Sequence, residues 1–256
     1  MGGINVKYRN AFYFDGKSSM DFGLYISGDQ TFNGPEQNIS KVSIPGRSGD
    51  LLFNDNSYKN QDYSYNCFIA YDLDHKAREL RSWLLSRRGY RRLEDDYHPE
   101  EYRMAAFKGP IDFTVHLLTA GETTLTFDCK PQRYLKTGEA VISLGRYDTQ
   151  VNVINPTYFD SKPILRIGGN GSGTIKIVNE DATEQLITIN NLATTTDDVI
   201  IDSEIEQTYL ESSYTWFNQN VTFKDLTYPY LSPGKNTITK TGNNVYINII
   251  PRWYML

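Results

Sequence analysis

The side chains of this 256-residue chain that could do chemistry are few and scattered. A hydrolase or transferase needs convergent groups: a nucleophile with its base, two placed carboxylates, or a set of metal ligands. Of the three histidines, His75 falls in the first turn of an expected helix, His98 among Asp95, Asp96, Glu100 and Glu101, and His116 beside Leu117 and Leu118. None lies in a G-x-S-x-G or H-E-x-x-H setting. Cys67 and Cys129 occupy strand-like runs without C-x-x-C or Cys/His spacing, so two buried thiols are expected rather than a disulfide or a metal site. Arg87, Arg88, Arg91 and Arg92 precede the acidic group around His98 and nearly cancel it, which reads as a solvated face or as salt bridges between subunits. The run Gly168-Gly169-Asn170-Gly171-Ser172-Gly173 is followed by neither Lys-Ser/Thr nor a helix, so it reads as a turn and not a phosphate loop. The chain is therefore expected not to be an enzyme and to need no cofactor and no metal.

Composition narrows the class further. With 39% hydrophobic and 22% charged residues the chain can bury real cores, and 19 Tyr with 12 Phe favour strands and contact surfaces. Its length suits two ordinary domains. Net charge is −5, with 17 basic against 18 acidic residues in 1–135 and 9 against 13 after that, so neither half reads as a nucleic-acid binder. No run approaches the roughly 18 apolar residues of a membrane helix, and the first ten residues lack an apolar secretion segment, so synthesis in the cytoplasm without membrane insertion is expected.

The elements that would position any site are legible as periodicities. Residues 11–26 read as a first hairpin, with Phe12 and Phe14 before the turn at 15–19 and Met20, Phe22, Leu24 and Ile26 after it. Residues 28–38 read as a loop. In 41–70, a strand from about Val42 should bend at Pro45, Gly46 and Gly49, and Asn54-Asp55-Asn56-Ser57 should supply the return turn. Tyr63, Tyr65, Cys67, Ile69 and Tyr71 then alternate as one strongly apolar face. This stretch is either a projecting arm with Leu51, Leu52 and Phe53 near its tip or an ordinary hairpin on its own domain. A projecting arm would expose apolar surface that a partner normally covers.

Leu73, Ala77, Leu80 and Leu84 make one helical stripe between an N-cap at Asp72 or Asp74 and a stop at Gly89. Strand character returns at 102–107 and 123–129, and Pro131 closes the domain near Tyr134. From Val141 short β-branched runs at 164–167, 174–178, 186–189, 199–202, 237–239 and 245–250 alternate with turns, the pattern of a β-sandwich. The fold class is mainly β: an α+β domain over 1–135 and a sandwich over 136–256.

Several separated motifs, taken in order, resemble the distal tail (Dit) proteins of long-tailed siphophages. They are the opening Asp15-Gly16-Lys17-Ser18-Ser19-Met20-Asp21-Phe22-Gly23-Leu24, then Ile44-Pro45-Gly46-Arg47-Ser48-Gly49-Asp50-Leu51, Trp83-Leu84, Arg91-Arg92-Leu93 and Phe127-Asp128-Cys129-Lys130-Pro131. In the second half they are Asn155-Pro156-Thr157, Lys162-Pro163-Ile164, Ile201-Asp202-Ser203, the 228–236 segment from Tyr228 to Asn236, and Ile250-Pro251-Arg252-Trp253. The resemblance implies a strand-rich domain with one helix that forms a homohexameric ring through a hairpin belt, then a galectin-like sandwich on the periphery. It further implies a hub in the virion tail tip that contacts the tail tube, tape-measure and tail-associated proteins while DNA passes through the lumen. The belt contacts would come from Gly46, Arg47, Leu51, Leu52, Phe53 and Tyr58. An alternative reading makes the sandwich a carbohydrate-binding adhesion module during host recognition, with Tyr214, Trp216, Asn218 and Gln219 as its sugar contacts.

Overall fold

The computed structural model describes residues 10–27, 33–116, 119–169, 171–190, 192, 197–242 and 245–256. The first ten residues apart from Asn10, the 28–32 part of the expected loop, the pair Leu117-Leu118 and Asn170 of the glycine run lie outside the described residues. The chain divides into two compact units, one running to Arg133 and the other spanning Tyr134–Met255.

In the first unit β1 (Phe12–Phe14) pairs with the short β2 (Lys17–Ser18), and the chain then tightens into a 3-10 turn at Ser19–Phe22 instead of continuing as a strand. Ser18 sets that turn: its hydroxyl accepts the Met20 N–H at 3.2 Å while the Asp21 carboxylate accepts the Ser18 N–H at 3.2 Å. Met20 and Phe22 therefore belong to no hairpin, and β3 (Leu24–Ile26) pairs instead with β6 (Gln61–Ile69). The helix α1 (Leu73–Leu85) buries Leu73, Ala77, Leu80 and Leu84, as its stripe requires, and adds Trp83. Asp72 stands at its N-cap in a left-handed conformation, φ 55°, without a side-chain capping bond.

The remaining strands of this unit are β4 (Gln37–Val42), β5 (Leu51–Tyr58), β7 (Arg91–Asp95), β8 (Glu101–Phe107), β9 (Thr114–His116) and β10 (Ala120–Leu135). The main sheet runs β2-β1-β7-β8-β10-β6-β3, with β9 also on β10. Strand β10 passes through Pro131 instead of stopping there. Its ladder with β6 ends at Cys129 opposite Gln61, so the missing proline N–H removes no bond on that side.

Alternate residues of β6 and β10 turn one face of the sheet inward, and α1 packs on it. Phe12 lies 5.1 Å from Tyr65, 5.5 Å from Phe127 and 5.9 Å from Trp83, ring centre to ring centre, and Phe22 closes on Trp83 at 4.4 Å. Such ring contacts contribute about 0.5–1.5 kcal/mol each beyond the area they bury. Asp95, expected in a solvated acidic patch, is only 6% exposed. It accepts the Tyr65 hydroxyl at 2.8 Å and the His98 N–H at 2.8 Å, and Arg103 stacks on Tyr63 at 3.9 Å, so part of that charge is internal wiring.

The second unit holds β11 (Ile142–Leu144), β12 (Gln150–Asn155), β13 (Ile164–Gly168), β14 (Gly173–Val178), β15 (Glu184–Ile189), β16 (Val199–Asp202), β17 (Gln207–Leu210), β18 (Val221–Phe223), β19 (Gly234–Thr241), β20 (Tyr246–Ile250) and β21 (Tyr254–Met255). Two five-stranded antiparallel sheets form, β11-β20-β13-β16-β17 and β12-β19-β14-β15-β18. Leu165, Ile167, Ile247 and Ile249 from one and Ile175, Ile177, Ile187 and Ile189 from the other share a single core, the period-two signature of a sandwich. The glycine run joins β13 of one sheet to β14 of the other. A Cβ on Gly138 would lie 2.3 Å from the Trp253 nitrogen, so only glycine lets the 252–253 segment close against the unit's entry, where Leu135 N–H donates to Trp253 O at 2.8 Å.

Both thiols are free and buried. Burial pushes the Cys129 thiol up to about 12 and raises that of Cys67 as well. Neither should react with iodoacetamide at pH 8.5 until urea unfolds the chain, when two labels appear by mass spectrometry. Because the unfolded thiol ionises first, near 9 for an ordinary cysteine, its contribution to stability is complete below that pH and is lost as pH rises towards 12. Urea titrations at pH 8, 9 and 10 should show a shallower loss in Cys129→Ala, by up to about 1.4 kcal/mol per pH unit.

Candidate functional site

The hairpin β4-β5 is a two-stranded sheet of its own, and every residue from 39 to 56 is exposed. Its tip is the proline-glycine segment. Arg47 N–H donates to Ile44 O at 3.2 Å across Pro45 and Gly46, and Gly46 has φ 79°, the arrangement of a type II turn with proline second and glycine third. The expected return turn at 54–57 is instead part of β5. Asn54 Oδ1 accepts the Asn56 N–H at 2.8 Å and Asp55 Oδ1 accepts the Ser57 N–H at 2.9 Å, so these residues satisfy themselves locally and make a bulge, with a register shift opposite residues 37–39. The Ser57 hydroxyl and N–H hold the Asp55 carboxyl below the usual range.

Leu51, Leu52 and Phe53 thus sit just past the tip on the returning strand. Val42 pairs with Leu51 and Ser40 with Phe53 on one face, while Lys41 pairs with Leu52 and Ile39 with Asn54 on the other. Apolar side chains therefore stand on both faces, with Leu52 and Phe53 each 55% exposed. Tyr58 lies at the base, half-buried, its hydroxyl accepting from Gln37 Nε2 at 3.4 Å. Only Lys59 and Asn60 separate β5 from β6. Asn60 is tied to Tyr90 and, at 3.0 Å, to Asp128, which fixes the base of the arm to the main sheet. This tie is 68 residues long in sequence and carries no sequence signal.

The second candidate group is brought together only in part. Tyr214 stacks on Tyr209 at 5.7 Å, and Trp216 bridges to Tyr209 through the backbone, leaving Tyr214 and Trp216 74% and 60% exposed. Asn218 is committed to the fold, its side-chain oxygen accepting the Thr208 N–H at 2.9 Å; Gln219 is exposed beside it. Tyr209, absent from the sequence reading, is the residue on which that aromatic group is built. The three histidines each face one carboxylate, His75 with Glu79 at 3.5 Å, His98 with Asp95 at 3.3 Å and His116 with Glu122 at 3.6 Å. Among the described residues no group of three or more His, Cys, Asp or Glu could hold a metal ion, and no helix is long and apolar enough to cross a membrane.

No protein-family model matches this sequence, and no curated protein matches it. Among solved structures, the chain superposes on the Dit protein of phage SPP1 with a TM-score of 0.72, covering 96% of this chain and 99% of that one at 13% identity. The chain has the fold of a phage distal tail protein. The SPP1 Dit protein is presented as a paradigm of the hub adsorption apparatus in phages that infect Gram-positive bacteria. The Dit fold spans nearly the whole length of both chains, so the likeness is not confined to one common sandwich or one helix-covered sheet.

Changing Leu51, Leu52 and Phe53 together to Ser should leave the melting temperature within about 2 °C of the parent, because exposed side chains contribute little to their own domain. Calorimetry checks this. A fall of roughly 5 °C or more would mean that the hairpin is part of its own core.

Proposed function

We propose that this chain is a structural hub of a siphophage tail tip, a homohexameric ring that joins the tail tube to the tail-associated and adsorption proteins, with DNA passing through the lumen. The observation that carries the reading is the arm. An isolated two-stranded ribbon is marginal in water, and this one presents Ile39, Val42, Leu51, Leu52 and Phe53 to solvent on both faces. A neighbouring copy that covered Leu51, Leu52 and Phe53 would gain roughly 1.5–3 kcal/mol per side chain, repeated at each interface of a closed ring. The Dit fold supports the reading, and the virion tail tip is the location that goes with it.

The ring domain in this proposal is residues 1–135, with Gly46 and Arg47 at the belt's tip and Tyr58 at its base; residues 136–256 are the galectin-like sandwich. The partners are a second copy of the chain, the tail tube protein, the tape-measure protein and the tail-associated protein. Ring closure is a matter of buried interface and requires no catalysis, cofactor or membrane. After synthesis in the host cytoplasm, the chain assembles at the tail tip.

A second reading, in which the sandwich also grips a host saccharide, draws on the exposed aromatic group of Tyr209, Tyr214 and Trp216. Aromatic faces suit pyranose rings, and Gln219 is exposed beside them while the Asn218 side-chain oxygen is committed to the Thr208 N–H. A glycan-array comparison of the parent with Trp216→Ala tests it, and equal signals would remove it.

The hub reading is tested by mixing the full chain with its cognate tail tube protein and measuring the mass of the complexes by light scattering. The parent should give a six-copy ring, and the triple serine variant should give none while keeping its fold. A ring that forms equally well with the triple variant would end the belt assignment.

A further inference from the structure

The outer face of one sandwich sheet carries a continuous row of side chains from edge to edge. Strand register sets Ser143 of β11, Asn248 of β20, Arg166 of β13, Ile200 of β16 and Tyr209 of β17 opposite one another in turn, and the bridge from Tyr209 to Trp216 adds a sixth position. Residues directly opposite in antiparallel strands share a face. Their chain neighbours Leu165, Ile167, Val199, Ile201 and Ile247 lie in the core, so the row points outward. Five strand spacings make it about 24 Å long.

The hydrogen-bonding groups at the middle of the row are held in place and only partly used. Arg166 donates from Nε to Asp198 at 2.6 Å and from Nη2 to Glu211 at 2.8 Å, and Asp198 also accepts the Tyr246 hydroxyl at 2.7 Å. The Asn248 side-chain oxygen accepts the Ser143 hydroxyl at 2.8 Å. Among the described residues, Arg166 Nη1 and Asn248 Nδ2 have no partner, and neither side chain is enclosed: that of Arg166 is 45% exposed and Asn248 is partly exposed. Two oriented donors thus stand on adjacent strands. The charges leave no positive surplus, since Arg166 meets two carboxylates and Arg252 meets Asp202. At the far end Tyr214 and Trp216 offer open aromatic surface.

We propose that this row binds an uncharged, extended chain of pyranose units laid across the strands. One ring stacks on Trp216, and hydroxyls of a later unit accept from Arg166 Nη1 and Asn248 Nδ2, the pairing of aromatic surface with a few placed polar groups that small-ligand sites use. Equatorial linkages suit the row because they keep such a chain flat and straight. An anionic chain gains nothing from an arginine already met by two acids. A protein partner fits less well, because interface cores are depleted of charge and this row has an arginine at its middle with Ile200 as its one aliphatic member. The proposal rests on the saccharide reading of the aromatic group, and adds the class of sugar and the far half of its site.

The test uses the full chain, labelled with nitrogen-15, and follows the assigned indole resonance of Trp216. The probes are cellohexaose, chitohexaose, their dimers, and a mannuronate hexamer as the anionic chain of like geometry. A neutral hexamer should move the resonance saturably, with its dimer and the mannuronate hexamer each about tenfold weaker. Asn248→Ala and the charge-conserving Arg166→Lys should each weaken the hexamer about fivefold, the worth of one hydrogen bond, and leave the dimer unchanged, which also reports an intact fold. Hexamer and dimer binding alike, with both variants unaffected, would overturn the row and leave the saccharide reading of Trp216 standing. Mannuronate binding as tightly as the neutral hexamers would overturn the uncharged class. No movement with any probe at millimolar concentration would overturn the row and that reading together.

Discussion

The first unit depends on the burial of one face of β6. Tyr63, Tyr65, Cys67 and Ile69 point into the core, each 3% exposed or less, and the rings of Phe12 and Phe127 pack against Tyr65, with Phe12 also stacked on Trp83 of α1. A one-residue slip of β6 would turn that whole set outward, so its register is strongly fixed. Its neighbour on the chain inherits that precision. The arm is the upstream continuation of a strand whose every second side chain is locked, and the Asn60 contact to Asp128 holds the joint. An exposed ribbon with little stability of its own can hold a definite direction because its root is continuous with a buried strand of the core.

The second unit is held together by internal polar clamps at its loops. Asn155 donates to Leu231 O at 3.0 Å and to Phe159 O at 2.9 Å while accepting the Thr157 N–H at 2.9 Å, so Asn155-Pro156-Thr157 pins one crossing loop to another. Asn236 does the same for the 232–236 turn, bonding both the N–H and the carbonyl of Ser232. Arg252 grips Asp202 with two bonds at 2.7 and 2.8 Å, joining Ile201-Asp202-Ser203 to Pro251-Arg252-Trp253. A buried polar group that satisfies several partners leaves each of them unpaired when it is replaced, whereas aliphatic core positions accept volume-conserving exchanges at a modest cost.

What was legible in the sequence follows the same division. The stripe of α1 and the alternation of β6 are local periodicities, and both elements formed where those patterns lie. The sandwich strands β13, β14, β15, β16, β19 and β20 were also visible as β-branched runs, whereas β11, β12, β17 and β18 were not, the three-residue β11 and β18 being too short to stand out from their turns and β12 and β17 having polar residues at half or more of their positions. Asn54-Asp55-Asn56-Ser57 has turn composition, yet Asx bonds that close on themselves give a bulge as readily as a reversal, and only the partner strand decides which. Asp95 was misread because its partner Tyr65 is 30 residues away and no period connects them. The aromatic group at Tyr214 showed its types but not its support, since Tyr209 joins it through a bridge between two loop-bounded segments.

The bulge in β5 has a mechanical consequence. Three side-chain bonds within four residues, Asn54 to Asn56 and Asp55 to the N–H and hydroxyl of Ser57, fix the local twist at the point where the ribbon leaves its root. A ribbon stiffened there behaves as a lever with a set elbow rather than as a tether that must be straightened on capture. Whatever seats against its far end meets a shape already chosen, so little conformational entropy is left to lose at docking. The same stiffness magnifies small changes. A few degrees at Asn56, which has a φ of 58°, would be carried along the five residues from there to Leu51 and swing the far end by about an ångström.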